Sequence, residues 1–389
     1  MSEELLAGLR TPDGVKALVA AAEVAGGDPL AAVSALRSRG IPPDLAAAAL
    51  TQAELRRRAA AKFGPGAAEM FFTRAGLEQA TRAVVADRRA ARLAAAGVRT
   101  IADLGCGLGS DALAAARAGI VVYAVDADPV TAELAAANAS AAGLGHLITV
   151  ECADATSVPV ERYDAVFADP ARRKAGRGRV FDPRAYSPPW DFVAGLAGRV
   201  PRTVLKLAPG IDHGLLPPGA EGEWVSVGGD LVEAAFWCGP LASAPRRATL
   251  LPGGAELVGS GVRRAPVGAV GAFLYDPDPA VVRSHLVAEF AETIGGRLAD
   301  PEIAYVYTDE PADTPYGRRL EITDVLPFSL KRLRALLRER GVGRLEIRKR
   351  GSALEPEQLR RDLRLAGPAA ASLVLTRVAG APTVLLCRA

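Results

Sequence analysis

Cysteine and histidine are scarce in this chain. Its 389 residues include four cysteines (Cys106, Cys152, Cys238, Cys387) and three histidines (His146, His213, His285), all far apart. No CxxC pair occurs, so neither a zinc ribbon nor a disulfide framework is expected. Dispersed histidines speak equally against a metal centre, and no metal is expected. A reducing cytoplasm suits such a chain. Long apolar runs are missing too. No stretch of about 18 residues is both apolar and uncharged, which excludes a membrane-spanning helix. The start, MSEELLAGLRTPDG, carries acids early and lacks an apolar core, so no secretory signal is expected. Lysine is rare: only six of the 47 basic residues are lysine. Arginine grips phosphate in a way lysine does not, but an Ala-, Arg- and Gly-rich composition also follows from a GC-rich genome. Against 44 acids the net charge is only +3, which by itself does not announce a nucleic-acid binder. No internal repeat or low-complexity linker appears.

What is present is ample core material. Half the residues are hydrophobic and 23% are charged. The length predicts two or three domains. Residues 1–95 read as a helical N-terminal region. The segment 44–64 has helix-forming composition behind Pro42-Pro43, and 76–97 places Leu77, Ala80, Val84 and Val85 at helical spacing. Over 96–242 the pattern becomes alternating strand and helix: IADLGC, then GSDALAAARAG, IVVYAVDAD, PVTAELAAANASAAG, LITVECAD, YDAVFADPAR and TVLKLAPG. This alternation predicts a parallel sheet with helices on both faces. EWVSVGGDLVEAAFWCG then reads as a terminal antiparallel pair turning at Gly228-Gly229-Asp230. Residues 243–323 give strand, helix over 279–294, strand, a small ferredoxin-like α/β unit. Residues 324–389 give helix 329–341, strand 344–351, helix 355–367 and two strands.

The chemistry gathers in the second segment. Gly105, Gly107 and Gly109 lie between a strand and a helix, where glycine permits a tight turn and close approach to a ligand. Asp126 follows Gly105 by 21 residues at the end of the next strand, where an acid can accept hydrogen bonds from ribose hydroxyls. Two cofactors compete at this point. The dinucleotide fingerprint is GxGxxG, whereas the turn here is GxGxG. It also carries Asp103 two residues before the first glycine. An anion there is awkward beside a pyrophosphate but suits the amino group of an amino-acid moiety. Asp154, after the third strand, stands where it can reach an adenine amino group. The structural alternative is that Asp103 caps the loop and Gly107 only turns it.

This set, DLGCGLG, AVDAD, CADA and FADPAR, resembles the class I S-adenosylmethionine-dependent methyltransferases over about residues 100–240. The resemblance implies a Rossmann-like sheet and S-adenosylmethionine as cofactor, with Asp103, Gly105, Gly107, Asp126 and Asp154 holding it. In amino-methylating members the fourth strand ends in Asp/Asn-Pro-Pro-aromatic, which holds and stacks on an exocyclic amine. Here it ends in Asp169-Pro170-Ala171-Arg172, followed by Arg173. Asp169, Pro170 and Arg172 are the catalytic candidates, and Arg173 and Lys206 are candidate substrate contacts. Arginine can stack on a base or grip a phosphate. The plain alternative makes Asp169 a loop cap and the arginines a solvated edge. Lys206, inside an apolar strand, needs a partner such as Asp169 or the substrate. Tyr186 and Trp190 are aromatics that either replace the missing stack or anchor the core. Met70-Phe71-Phe72-Thr73-Arg74 either covers the cofactor or packs helices on the sheet.

Residues 331–350 carry nine basic side chains against Glu339 and Glu346. Such a run is a solvated face or a phosphate-binding surface. LEIRKRG, EPEQLRRDLRLAG and LVLTRV resemble the THUMP-like domain of some bacterial methyltransferases, and GAFLYDPDPAVVRSHL the ferredoxin-like domain before it. The resemblance implies RNA binding, mainly of tRNA, with Arg348, Lys349 and Arg350 as candidate contacts. The expected activity is methyl transfer to a base nitrogen of tRNA or rRNA. A methyltransferase of a protein or small molecule, a non-catalytic binder of S-adenosylmethionine and RNA, and a dehydrogenase are the rivals.

Overall fold

The structure is a computed structural model that describes residues 2–172 and 186–388. The chain divides into two units, Met1–Ala220 with Ala235–Ser243, and Glu221–Ala234 with Ala244–Ala389.

The first unit begins with helices α1 (Glu3–Leu9), α2 (Pro12–Val24), α3 (Pro29–Ser38), α4 (Pro43–Phe63), α5 (Arg74–Gln79) and α6 (Ala83–Ala95). Side-chain oxygens of Ser2, Thr11, Asp28 and Thr73 cap α1, α2, α3 and α5. The helix expected over 76–97 is therefore two helices, broken at Ala80–Arg82. The alternating part follows: β1 (Thr100–Leu104), α7 (Ser110–Arg117), β2 (Val121–Asp126), α8 (Pro129–Ala141), β3 (Ile148–Cys152), β4 (Ala165–Ala168), the two-residue β5 (Ala171–Arg172) and β6 (Tyr186–Ser187), α9 (Trp190–Arg199) and β7 (Thr203–Leu207). Strands β3-β2-β1-β4-β7 lie side by side and parallel, in register Asp103 to Ala124 and Asp103 to Phe167. All five therefore end at one edge. The order reverses at β1, so β1 and β4 open the crevice where such sheets bind ligands. Beside β7 the Cys238 N–H donates to Thr203 O at 2.9 Å. Phe72 and Leu55 of the leader share one core with Ile101, Val122, Ala124 and Phe167 of the sheet. The leader is thus packed onto the sheet through apolar burial, the dominant favourable term in folding.

The second unit holds β8 (Glu221–Val227), β10 (Arg246–Leu251) and β11 (Ala255–Gly259), with β10 parallel to β8 and antiparallel to β11. The strand β9 (Asp230–Trp237), reached from β8 by Gly228-Gly229, is divided between the units. After it come β12 (Phe273–Pro277), α10 (Pro279–Arg283), α11 (Val287–Thr293), β13 (Arg297–Leu298), β14 (Val306–Thr308), β15 (Gly317–Pro327), α12 (Leu330–Glu339), β16 (Val342–Lys349), α13 (Pro356–Leu363), β17 (Ala369–Val378) and β18 (Ala381–Arg388). They build a second sheet of order β13-β14-β12-β15-β18-β17-β16. The strand β15 pairs with β12 at one end and β18 at the other. The segments read as ferredoxin-like and THUMP-like therefore share one sheet, because this single eleven-residue strand serves both. Alternation sorts its two faces. Leu373, Leu375, Val384 and Leu386 pack with Leu333 and Leu337 of α12 and Leu359 and Leu363 of α13. Val374, Leu385 and Cys387 pack the other way, with Leu274, Tyr305 and Tyr307. The helix expected over 279–294 is interrupted at His285, whose φ is 62°.

Candidate active site

The glycine turn is built by the strand beneath it. The Gly105 and Cys106 N–H groups both donate to Val125 O, at 2.9 and 3.0 Å. Gly105 has φ 87°, and a Cβ there would stand 2.9 Å from the Asp169 carbonyl oxygen. Only glycine lets the β1 and β4 turns approach this closely. Gly107 has φ 56°, and a Cβ there would meet open space. The turn thus leaves a cradle above itself. Asp126 closes one side. Its Oδ2 accepts from Gly107 N at 3.0 Å and its Oδ1 from Asp128 N at 3.0 Å. Burial raises its pKa, and those two amides oppose the rise. Each oxygen keeps a further lone pair for a hydroxyl.

Asp103 lies beneath the turn, 2% exposed, and neither carboxylate oxygen has a hydrogen-bond partner. Burial, followed by the charges of Asp111 and Asp169, pushes its pKa well up, against Arg89 and Lys206. Arg89 is itself buried, paired with Asp111 and stacked on Phe167. A cavity of about 10 Å³ lies among Asp103, Arg89, Asp111 and Phe167, room for about one water. Asp169 acts on both Asp103 and Asp126. Three carboxylates therefore surround the turn. That field repels a pyrophosphate and favours a cationic ligand, so the unpartnered Asp103 oxygens and the open cradle fit S-adenosylmethionine.

Asp169 ends β4, its N–H donating to Leu104 O at 3.1 Å. Lys206 Nζ donates to Asp169 Oδ2 at 2.6 Å, which meets the need for a partner in an apolar strand. Pro170 is buried behind it. Arg172 lies in β5 and its backbone pairs with Tyr186 in β6. Arg173 falls outside the described residues. Trp190 opens α9, half-buried. Asp154 is exposed and caps a turn: its Oδ1 accepts from Thr156 N at 2.8 Å and Thr156 Oγ1 at 2.7 Å. These bonds hold its pKa down.

Three leader and helix residues gave no signal as site residues in the sequence. Buried Asn138 of α8 donates to Phe71 O at 3.2 Å and Leu108 O at 2.9 Å, and accepts from Phe71 N at 2.7 Å. Buried Gln52 exchanges two bonds with the Phe72 backbone. Lys62 Nζ donates to Leu77 O, Glu78 O and Ala80 O at 2.6, 2.8 and 3.0 Å. The segment Met70–Arg74 is accordingly both a packed interface and a strap tied to the glycine turn at Leu108. Only the buried amides and one lysine reveal it.

The basic tail is arranged otherwise than expected. Arg348 and Arg350 both pair with Asp276, at 2.7 and 2.9 Å, and Lys349 pairs with Glu355 at 2.7 Å. Their charge is largely spent within the unit. Lys331, Arg332, Arg338 and Arg344 are exposed and make no ion pair among the described residues.

Comparison with known proteins agrees with this geometry. A family model described as a methyltransferase domain matches residues 101–172, one described as THUMP domain-like matches 317–389, and one for a domain of unknown function matches 3–59. Two curated relatives, from the CDC 1551 and H37Rv strains of Mycobacterium tuberculosis, are each 36% identical over 339 residues. The match covers 83% of this chain and 90% of theirs, and both are named as uncharacterized S-adenosylmethionine-dependent methyltransferases. The chain belongs to the S-adenosylmethionine-dependent methyltransferases. A crystal structure of a candidate methyltransferase from Porphyromonas gingivalis W83 shares the methyltransferase's fold, with TM-score 0.74 over 100% of this chain and 98% of that chain at 22% identity. No helix of the methyltransferase is long and apolar enough to cross a membrane among the described residues.

Proposed function

We propose that the methyltransferase acts on RNA, at a base nitrogen of tRNA or rRNA. The reading is carried by Asp169, a carboxylate at the switch point held by Lys206, in a chain that also has a THUMP-like segment. S-adenosylmethionine supplies an electrophilic methyl group. Asp126 binds its ribose and Asp154 Oδ2 its adenine amino group. Asp103 acts on its ammonium as a buried negative charge. Asp169 accepts a hydrogen bond from the target amine and directs the nitrogen lone pair at the methyl carbon. An N–C bond forms, the S–C bond breaks, and one proton leaves the nitrogen for solvent. Positioning and exclusion of water do most of this work. Pro170 stiffens the turn, and Arg172, Arg173 and Lys206 are the candidate substrate contacts. The exposed cations of α12, with Arg344, grip RNA phosphates in the second unit. The enzyme works in the cytoplasm, where its four free cysteines stay reduced.

The test is transfer of radiolabel from S-adenosylmethionine to RNA taken from a strain lacking the gene. Label that disappears with Asp169→Ala, while cofactor binding persists, is the expected outcome. No label in RNA, with cofactor binding intact, returns the weight to a protein or small-molecule acceptor.

A further inference from the structure

The helical leader has an open side. The helices α1 and α2, the 39–42 loop and the start of α4 line a groove of about 1010 Å³ within the first unit. Its apolar lining is Leu5, Val15, Val19, Ile41 and Leu45, and the small Gly8 and Ala20 leave room among them. Val15 and Val19 stand one turn apart on α2 and are 52% and 59% exposed. A helix ordinarily turns such an apolar stripe toward a partner. The rim is acidic. Glu4, Asp13, Glu23 and Asp44 line it against Lys16 and Arg39. Both cations are already paired, Lys16 with Asp13 at 3.0 Å and Arg39 with Glu23 at 2.7 Å. Glu4 and Asp44 are exposed and make no ion pair among the described residues. The helix α3 carries the complementary chemistry. It buries Ala32 and Leu36. Its other face carries Leu30, 80% exposed, Val33, 41% exposed, and Arg37, at spacing i, i+3 and i+7. Arg37 is exposed too and makes no ion pair among the described residues.

We propose that α3 of a second copy of this chain occupies the groove, so that the leader pairs two copies about a twofold axis. Leu30 and Val33 of each copy enter between Val15, Val19, Ile41 and Leu45 of the other, and Arg37 meets Glu4 and Asp44. An amphipathic helix laid in an apolar groove is a recurring mode of association. Apolar burial drives it, and the opposite charges fix its register. The face of one ten-residue helix is small. A twofold arrangement makes the contact twice and closes the assembly. The rim argues against other occupants, because its two surplus acids repel the phosphates of RNA and of an anionic lipid surface. This pairing does not depend on what the enzyme methylates.

The test is sedimentation equilibrium of the full chain over about 1–100 μM. The wild type is expected to move from 40.3 kDa toward twice that mass. Leu30→Ser and Val19→Ser are each expected to weaken the dimer about tenfold or more. Both side chains are exposed, so the variants keep the fold, and thermal denaturation checks that they do. Arg37→Glu weakens the dimer as well, and Glu4→Lys with Asp44→Lys in that same chain restores part of the loss. A wild type that stays at 40.3 kDa throughout overturns the proposal. So does a dimer indifferent to both serine variants. A dimer that Val19→Ser weakens, while Leu30→Ser and Arg37→Glu do not, also overturns it, because another segment then fills the groove. A monomer that binds RNA or anionic lipid vesicles in a Val19-dependent way gives the groove to those occupants and overturns it too.

Discussion

Replacing Asp103 by asparagine removes one charge and almost no volume. Its effects on stability and on cofactor affinity should have opposite signs. Both oxygens of Asp103 are buried without a partner, and burial followed by Asp111 and Asp169 raises its pKa. A carboxyl whose folded pKa lies above its unfolded value stabilises the fold fully below the unfolded pKa, near 4. That contribution is lost as pH rises through the folded pKa. Once ionised, the side chain is therefore a cost that the neutral amide avoids. Burying a charge there rather than a neutral amide adds a cost of about 1 kcal/mol or more. Asp103→Asn should raise the Tm of the cofactor-free protein by roughly 2–4 °C or more at pH values above the folded pKa of Asp103, and flatten its decline with rising pH. A charge-assisted contact to the cofactor's ammonium is worth about 1.5–3 kcal/mol, so S-adenosylmethionine should bind roughly ten- to a hundredfold more weakly. Thermal denaturation across pH, with calorimetry on the same samples, measures both. A lower Tm together with unchanged affinity would refute the reasoning and make Asp103 a structural residue.

Other outcomes follow from single contacts. Asn138→Ala strips partners from the Phe71 backbone and Leu108 O, and should cost about 3 kcal/mol in urea denaturation. A loss below about 0.5 kcal/mol would mean that the strap is not tied there. Asp276→Ala releases Arg348 and Arg350, costs about 1–3 kcal/mol, and should steepen the salt dependence of RNA binding. A shallower slope would place the intact cluster inside the RNA contact. Gly105→Ala brings a Cβ against Asp169 O and should abolish transfer while lowering Tm by several degrees; normal turnover would sink the close-approach argument.

The alternating sheet was legible because strand and helix periods, glycine stops and acids after strands all agree over residues 100–210. The pair of Lys206 with Asp169 was legible for a related reason: a lysine in an apolar strand must find a carboxylate. Local pattern says nothing about partners distant in sequence, and there the sequence reading fell short. The segment 76–97 has helical spacing throughout, yet the chain breaks at Ala80–Arg82, where Lys62 takes the carbonyls of Leu77, Glu78 and Ala80. Arg348 and Arg350 read as a nucleic-acid surface until Asp276, more than 70 residues earlier, is set beside them by the shared sheet.

Sequence alone determined the order of elements, the glycine turn and the identity of the acids around it. Those depend on neighbours within a few residues and on backbone freedom that only glycine has. Tertiary structure decided which charges are spent and which are left over. Pairing depends on distance in space, and two arginines of identical chemistry differ only in whether a carboxylate has been folded against them.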